Sequence, residues 1–309
     1  MQDQNEVAMG SLAERGLNVI GIRYRGSTPA PGDERSVDFY RNSGAYGAFA
    51  SEARFVDPEF PESERSESPT VNLGIMGGRI AETVAEGVRQ GQATVMVGGD
   101  CAHITGVLGG WQDALGPTSR IGLVWFDAHG DFNTSRTTLS GMLGGMPVAV
   151  AAGLDYPEWR EASHLPAPIP TDRILMVDVR NLDPAEEQLV RATSVGIAAP
   201  AEGFPGDDLQ SAMDDLASRC DYLYLHIDSD ILDESFVPNH GTREPDGPNI
   251  EQVIEAIDTV MATGKVVAFA LVSVSGDGDG AEVSRTSAAR LLEAGIASWD
   301  RHGIPEWTG

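Results

Sequence analysis

The chain has 309 residues, with 21 basic against 47 acidic side chains and a formal charge of -26 at pH 7. Negative charge on this scale repels nucleic acids and anionic membrane surfaces, which excludes both as partners. Cys101 and Cys220 are the only cysteines, too few for a disulfide framework.

The opening MQDQNEVAMG is polar and lacks a basic stretch followed by an apolar one, so it does not read as a signal peptide. No apolar run approaches membrane-spanning length, and the expectation is a soluble, cytoplasmic protein. Lys265 is the only lysine, so nearly all positive charge is arginine.

In chain order, short apolar or β-branched runs predict strands at 18–24, 93–99, 121–129, 173–180, 222–230 and 266–275. Helical spacing predicts helices over 80–91, 184–193, 207–219 and 250–264. The alternation implies an α/β fold of three layers, α-β-α, with a mainly parallel, doubly wound sheet. The Pro/Ser/Glu-rich stretches at 57–69 and 163–172 read as surface loops, leaving one domain over 1–309.

The chemistry follows the strands on their carboxyl side, where open α/β sheets bind ligands. VMVGG runs into Asp100 and Cys101, LVWF into Asp127, His129 and Asp131, and YLHI into Asp228 and Asp230. An extended backbone would turn residues 127, 129 and 131 the same way. Four carboxylates in one cavity cannot all remain ionised without cations, so the set predicts two divalent metal ions. Its oxygen-rich composition suits Mn²⁺. Aspartates that cap helices or close turns give the blander reading of the same residues.

These segments resemble the arginase/agmatinase ureohydrolases: GGDC at 98–101, DAHGDFNT at 127–134, SGMLGGMP at 140–147 and DSDILDES at 228–235. The order is the family's from about residue 93 onward, and the likeness is weaker before it. The resemblance implies that Asp127 and Asp228 bridge the two ions, with Cys101 and Asp131 completing one and His129 and Asp230 the other. It implies that the ions activate a water, oriented by the catalytic Asp131, for attack on a guanidinium carbon. Asn133 and Ser140 match positions that hold a substrate α-carboxylate, Asp183 one that faces the α-amine, and Thr242 a pocket threonine. A trimer or hexamer of identical chains is implied as well.

Three positions depart from the family pattern. Cys101 replaces a histidine ligand and adds a soft donor. Gly144 stands where a histidine relays protons, and Met142 where an asparagine stands. Ser273, by ungapped counting, falls where a glutamate pairs with the guanidinium. Cysteine at 101 together with LGGM is similar to the N-hydroxy-L-arginine amidinohydrolase branch, whose leaving groups are less basic and need the relay less.

The implied activity is hydrolysis of a guanidino or N-hydroxyguanidino amino acid to urea or hydroxyurea and an amine such as ornithine. Two alternatives stand beside it: a non-catalytic family member that binds metal or ligand, and a hydrolase of another C–N substrate such as a formimino amino acid. His240, just after DSDILDE, could replace the missing histidine or glutamate but reads first as an incidental loop histidine, and His103 as pointing away if a helix begins there.

Overall fold

The structure, a computed structural model, describes residues 9–30 and 32–307. The first eight residues of the polar opening lie outside that range. Eight strands form the main sheet: β1 (Leu17–Ile22), β2 (Arg54–Val56), β3 (Ala93–Gly98), β4 (Ile121–Phe126), β5 (Ile174–Val177), β6 (Gly196–Ala198), β7 (Tyr222–Asp228) and β8 (Val266–Val272). They are ordered β2-β1-β3-β8-β7-β4-β5-β6, and every adjacent pair is parallel.

Continuous apolar sequence explains why the central strands lie inside. All residues of β1, β3, β4 and β8 are buried, as expected for parallel strands covered on both faces. The principal helices are α1 (Pro69–Arg89), α2 (Ile104–Leu115), α3 (Pro184–Arg191), α4 (Leu209–Arg219), α5 (Ile250–Met261) and α6 (Ala281–His302). Most buried apolar side chains join one core running through the sheet and its helices. No helix among the described residues is long and apolar enough to cross a membrane.

Helix ends follow local chemistry. Ser68 accepts from Val71 N ahead of Pro69 at the start of α1, and Asn249 with Gln252 forms a capping box on α5. Helix α1 begins eleven residues before the predicted 80, because Gly74, Gly77 and Gly78 interrupt the apolar pattern there. Those glycines serve packing: a Cβ on Gly106 of α2 would lie 2.6 Å from Gly77 O, so the two helices approach more closely than larger residues allow.

The six predicted strands all form, each ending at or before its predicted limit. The edge strands β2 and β6 have three residues each, too few for a periodic signal. Helices α2 and α6 are additions to the predicted set. The first is glycine-rich, and the second buries small residues such as Ala281, Ser284, Ser287 and Ala288 in place of a strong apolar stripe.

Candidate active site

Four neighbouring strands, β3-β8-β7-β4, end side by side, and their carboxyl ends supply Cys101, Ser273, Asp228 and Asp127. A cavity of about 740 Å³ opens above them. All ten residues singled out by sequence line it: Cys101, Asp127, His129, Asp131, Asn133, Ser140, Asp183, Asp228, Asp230 and Thr242.

The aspartates convey both roles open to them. Asp127 Oδ1 accepts from His129 N (2.6 Å) and Asp228 Oδ1 from Asp230 N (3.1 Å), as capping residues do. Their second oxygens face Cys101, whose sulfur is 3.6 Å from Asp127 Oδ2 and donates to Asp228 Oδ2 at 3.0 Å. Residues 127–131 do not continue as an extended strand. Strand β4 stops at Phe126, and Asp131 adopts φ 45°, so the loop, not a two-residue alternation, directs the three side chains inward.

Neighbouring groups hold that loop. Trp125 Nε1 donates to His129 O (3.1 Å), Asn181 N to Ala128 O (2.9 Å) and Phe132 N to the buried Glu186 Oε1 (2.8 Å). Glu186, invisible to motif reading, also accepts from Asp183 N (3.1 Å), tying the start of α3 to the loop. Asn133 Nδ2 donates to Asp183 Oδ2 (3.1 Å), and Thr242 Oγ1 to Asp230 Oδ2 (3.0 Å).

Among the described residues, three groups of donor atoms are compact enough to hold a cation: Cys101, Asp127 and Asp228; Asp127, His129 and Asp230; and Asp228, Asp230 and His240. Asp131 lines the cavity but belongs to none of the three. His240 corrects its reading as an incidental loop residue. Its side chain is only 7% exposed, with Nε2 3.1 Å from Asp228 Oδ1 and Nδ1 2.8 Å from Thr242 O. Thr242 N–H also points to Nδ1, at 3.1 Å, and Nε2 faces the carboxylate oxygen outside hydrogen-bond alignment. A proton or a metal ion must lie between them, and the oxygen-rich donor set fits a divalent metal.

The electrostatics agree. Burial, reinforced by neighbouring carboxylates, pushes Asp127 and Asp131 far above the usual carboxylate range. Burial and the Asp228 and Asp127 charges likewise keep the Cys101 thiol protonated. Burial opposes charge on His240, but the adjoining Asp228 carboxylate, with Asp230 beyond it, raises it to about 9. Burial also works against charge on His129, yet Asp127 and Asp230 raise it strongly. Without cations this site must take up protons.

Glu244, which no motif signalled, accepts at 3.0 Å from His129 Nε2 and at 2.9 Å from Asn181 Nδ2. His103 turns away from the metal-ligating cluster as expected, with Nε2 2.9 Å from Gly26 O. Ser273 stands in the cavity at φ 61° and donates to Asp228 Oδ2 at 2.5 Å. Gly144 faces open space, with nothing but Met142 near a notional Cβ, at 3.8 Å.

The chain matches the model of the "Arginase family" over residues 19–297. It is 30% identical to an arginase of Bacillus caldovelox over 168 residues, 53% of this chain and 55% of that protein, so this match spans about half of the relative's length. An arginase of Brucella melitensis is 27% identical over 83% of this chain and 88% of its own. The solved B. caldovelox arginase has the same fold at a TM-score of 0.77 and 22% identity, covering 91% of this chain and 98% of that one. Formimidoylglutamase from Bacillus subtilis does so at 0.70 and 15%, covering 97% and 94%. The chain belongs to the arginase family, a family of metal-dependent hydrolases acting on guanidino C–N bonds.

Proposed function

We propose that this protein is a binuclear metal hydrolase of a guanidino or N-hydroxyguanidino amino acid, releasing urea or hydroxyurea and an amine such as ornithine. The observation that carries this reading is the set of three donor groups sharing Asp127, Asp228 and Asp230 on the cavity floor. Cys101, Asp127 and Asp228 would hold one ion; Asp127, His129 and Asp230, with His240 beside them, would hold the other. Two bound ions would supply charge to lower the pKa of a water and polarise the substrate carbon. The carboxylate-rich donors suit Mn²⁺, and the Cys101 sulfur favours a softer ion at its side of the site.

Asp131, lining the cavity without belonging to a compact donor group, is suited to orient the attacking water and carry its proton. Asn133 and Ser140 would take a substrate carboxylate, Asp183 its amine, and Thr242 the pocket wall beside Asp230. A homo-oligomer, trimer or hexamer, and a cytoplasmic setting belong to the same reading.

The test is metal content and ornithine release from Mn²⁺-loaded protein offered L-arginine and N-hydroxy-L-arginine side by side, with Asp131→Ala as blank. Ornithine from the wild type alone supports the reading. Protein that binds no divalent metal, with Asp228→Asn leaving every property unchanged, would sink it. A second reading, hydrolysis of a formimino amino acid, is favoured by the uncharged Ser273 in the cavity wall and by structural likeness to formimidoylglutamase. Formamide release would distinguish it.

A further inference from the structure

Arg35 lies in the wall of the same cavity and is 9% exposed. Its Nε is buried without a hydrogen-bond partner, and neither amino nitrogen makes a hydrogen bond or ion pair among the described residues. The acids that could neutralise it are otherwise engaged. Glu34 pairs with Arg25 at 2.8 Å, while Asp100 accepts from Gly26 N at 2.7 Å and Ala102 N at 3.1 Å.

The segment carrying Arg35 is fixed against the end of β8. Ser36 Oγ donates to Val274 O (3.3 Å) and Gly276 N to Glu34 O (2.8 Å). Arg35 therefore stands beside the stretch that carries Ser273 and contributes a positive charge where Ser273 contributes only a hydroxyl. Burial disfavours the charged guanidinium while the nearby Asp100, Glu34 and Asp228 charges favour it, and a buried cation with no group hydrogen-bonded to it is suited to receive an anion from the cavity. Its planar array of N–H donors matches a carboxylate.

We infer that Arg35 is a specificity-determining residue that receives a carboxylate of the substrate, so that the site selects amidino compounds bearing an acid group over their neutral or cationic counterparts. The inference rests on the hydrolase reading for the amidino part of the ligand; for the acid part it adds Arg35 to Asn133 and Ser140, and the Arg35 variants isolate its share.

The experiment measures calorimetric binding of 4-guanidinobutyrate and of propylguanidine, its counterpart without the carboxyl group, to Mn²⁺-loaded full-length protein. Wild type, Arg35→Met and Arg35→Lys are compared, with metal content checked in each. The expected result is an advantage of about 10-fold or more for the acid in wild type, lost in Arg35→Met and partly kept in Arg35→Lys. An equal advantage in Arg35→Met, or none in wild type, overturns the inference.

Should neither guanidine bind, butyrate decides. A wild-type melting shift that vanishes in Arg35→Met upholds the Arg35 site while the guanidino reading fails; no shift, or one retained in Arg35→Met, overturns it. Methionine replaces an unpaired cation, so the variant is expected to fold, and Arg35→Gln stands in if it does not.

Discussion

His226 directs Nε2 to within 3.4 Å of the Cys101 sulfur, its ring lying stacked on Trp125 at 4.4 Å and its Nδ1 2.9 Å from Tyr224 OH. Burial holds the imidazole near 3, so it is neutral. With the Tyr224 hydroxyl donating to Nδ1, Nε2–H points at the sulfur, and the imidazole fixes the one soft donor of the site. His226→Ala is expected to weaken divalent-metal affinity by about 10- to 100-fold, read by competition with a chelator. The same packing leaves little room for a larger side chain at 101. Cys101→His alone is expected to bind Mn²⁺ less tightly than Cys101→His/His226→Ser, and equal affinities would place the 101 side chain away from His226.

Gly144 has space for a side chain, so Gly144→His is expected to fold with an unchanged melting temperature. If protonation of the departing amine limits the reaction, the added imidazole raises kcat by a similar factor for L-arginine and for N-hydroxy-L-arginine, since both release the same ornithine δ-amine. An unchanged kcat for both substrates would count against a role for proton delivery at this position.

Arg180 holds the loop that carries His240, Thr242 and Glu244. It donates to the carbonyls of Asp230 (3.0 Å), Ile231 (3.1 Å), Glu244 (3.2 Å) and Pro245 (3.1 Å), and pairs with Asp178. Arg180→Ala leaves several of these acceptors without a donor and is expected to cost about 1–3 kcal/mol. Denaturant midpoints give the stability change, and activity should fall further than stability because Glu244 and His129 lose their register. A stability loss with kcat and KM unchanged would confine Arg180 to a structural role.

Asp258 on α5 links that helix to α6, accepting from Ser298 Oγ (2.5 Å) and His302 Nε2 (2.9 Å) and pairing with Arg301. Burial tends to raise its pKa, but these donors outweigh burial and hold it at about 2, below the 3.8 of a free aspartate. The folded pKa is depressed, so the stabilisation is fully present above 3.8 and is lost as pH falls through about 2. Asp258→Asn should therefore lower the melting temperature at neutral pH, with the gap to wild type closing in acid. The pair is partly exposed, so the loss is of order 0.2–1 kcal/mol. A gap that stays constant from pH 7 to pH 2 would show that the carboxylate charge is not involved.

Six of the eight strands and the address of the site were legible in the sequence, the three-residue edge strands β2 and β6 being too short to read. Apolar runs of six or seven residues can only be satisfied as strands covered on both faces, and a ligating residue just past such a run must emerge at the sheet's carboxyl edge. That logic reached Cys101, Asp127 and Asp228 without coordinates. Tertiary structure decided what local spacing cannot express. Strand order brought β3, β8, β7 and β4 side by side, so residues far apart in the chain came to share one cavity. His240 and Glu244 became site residues because Arg180 folds their loop back over the strand ends, and Arg35 because its segment is clamped to the end of β8. A lone histidine, glutamate or arginine in a loop has no periodicity to reveal it; its chemistry depends on which charges the fold sets beside it.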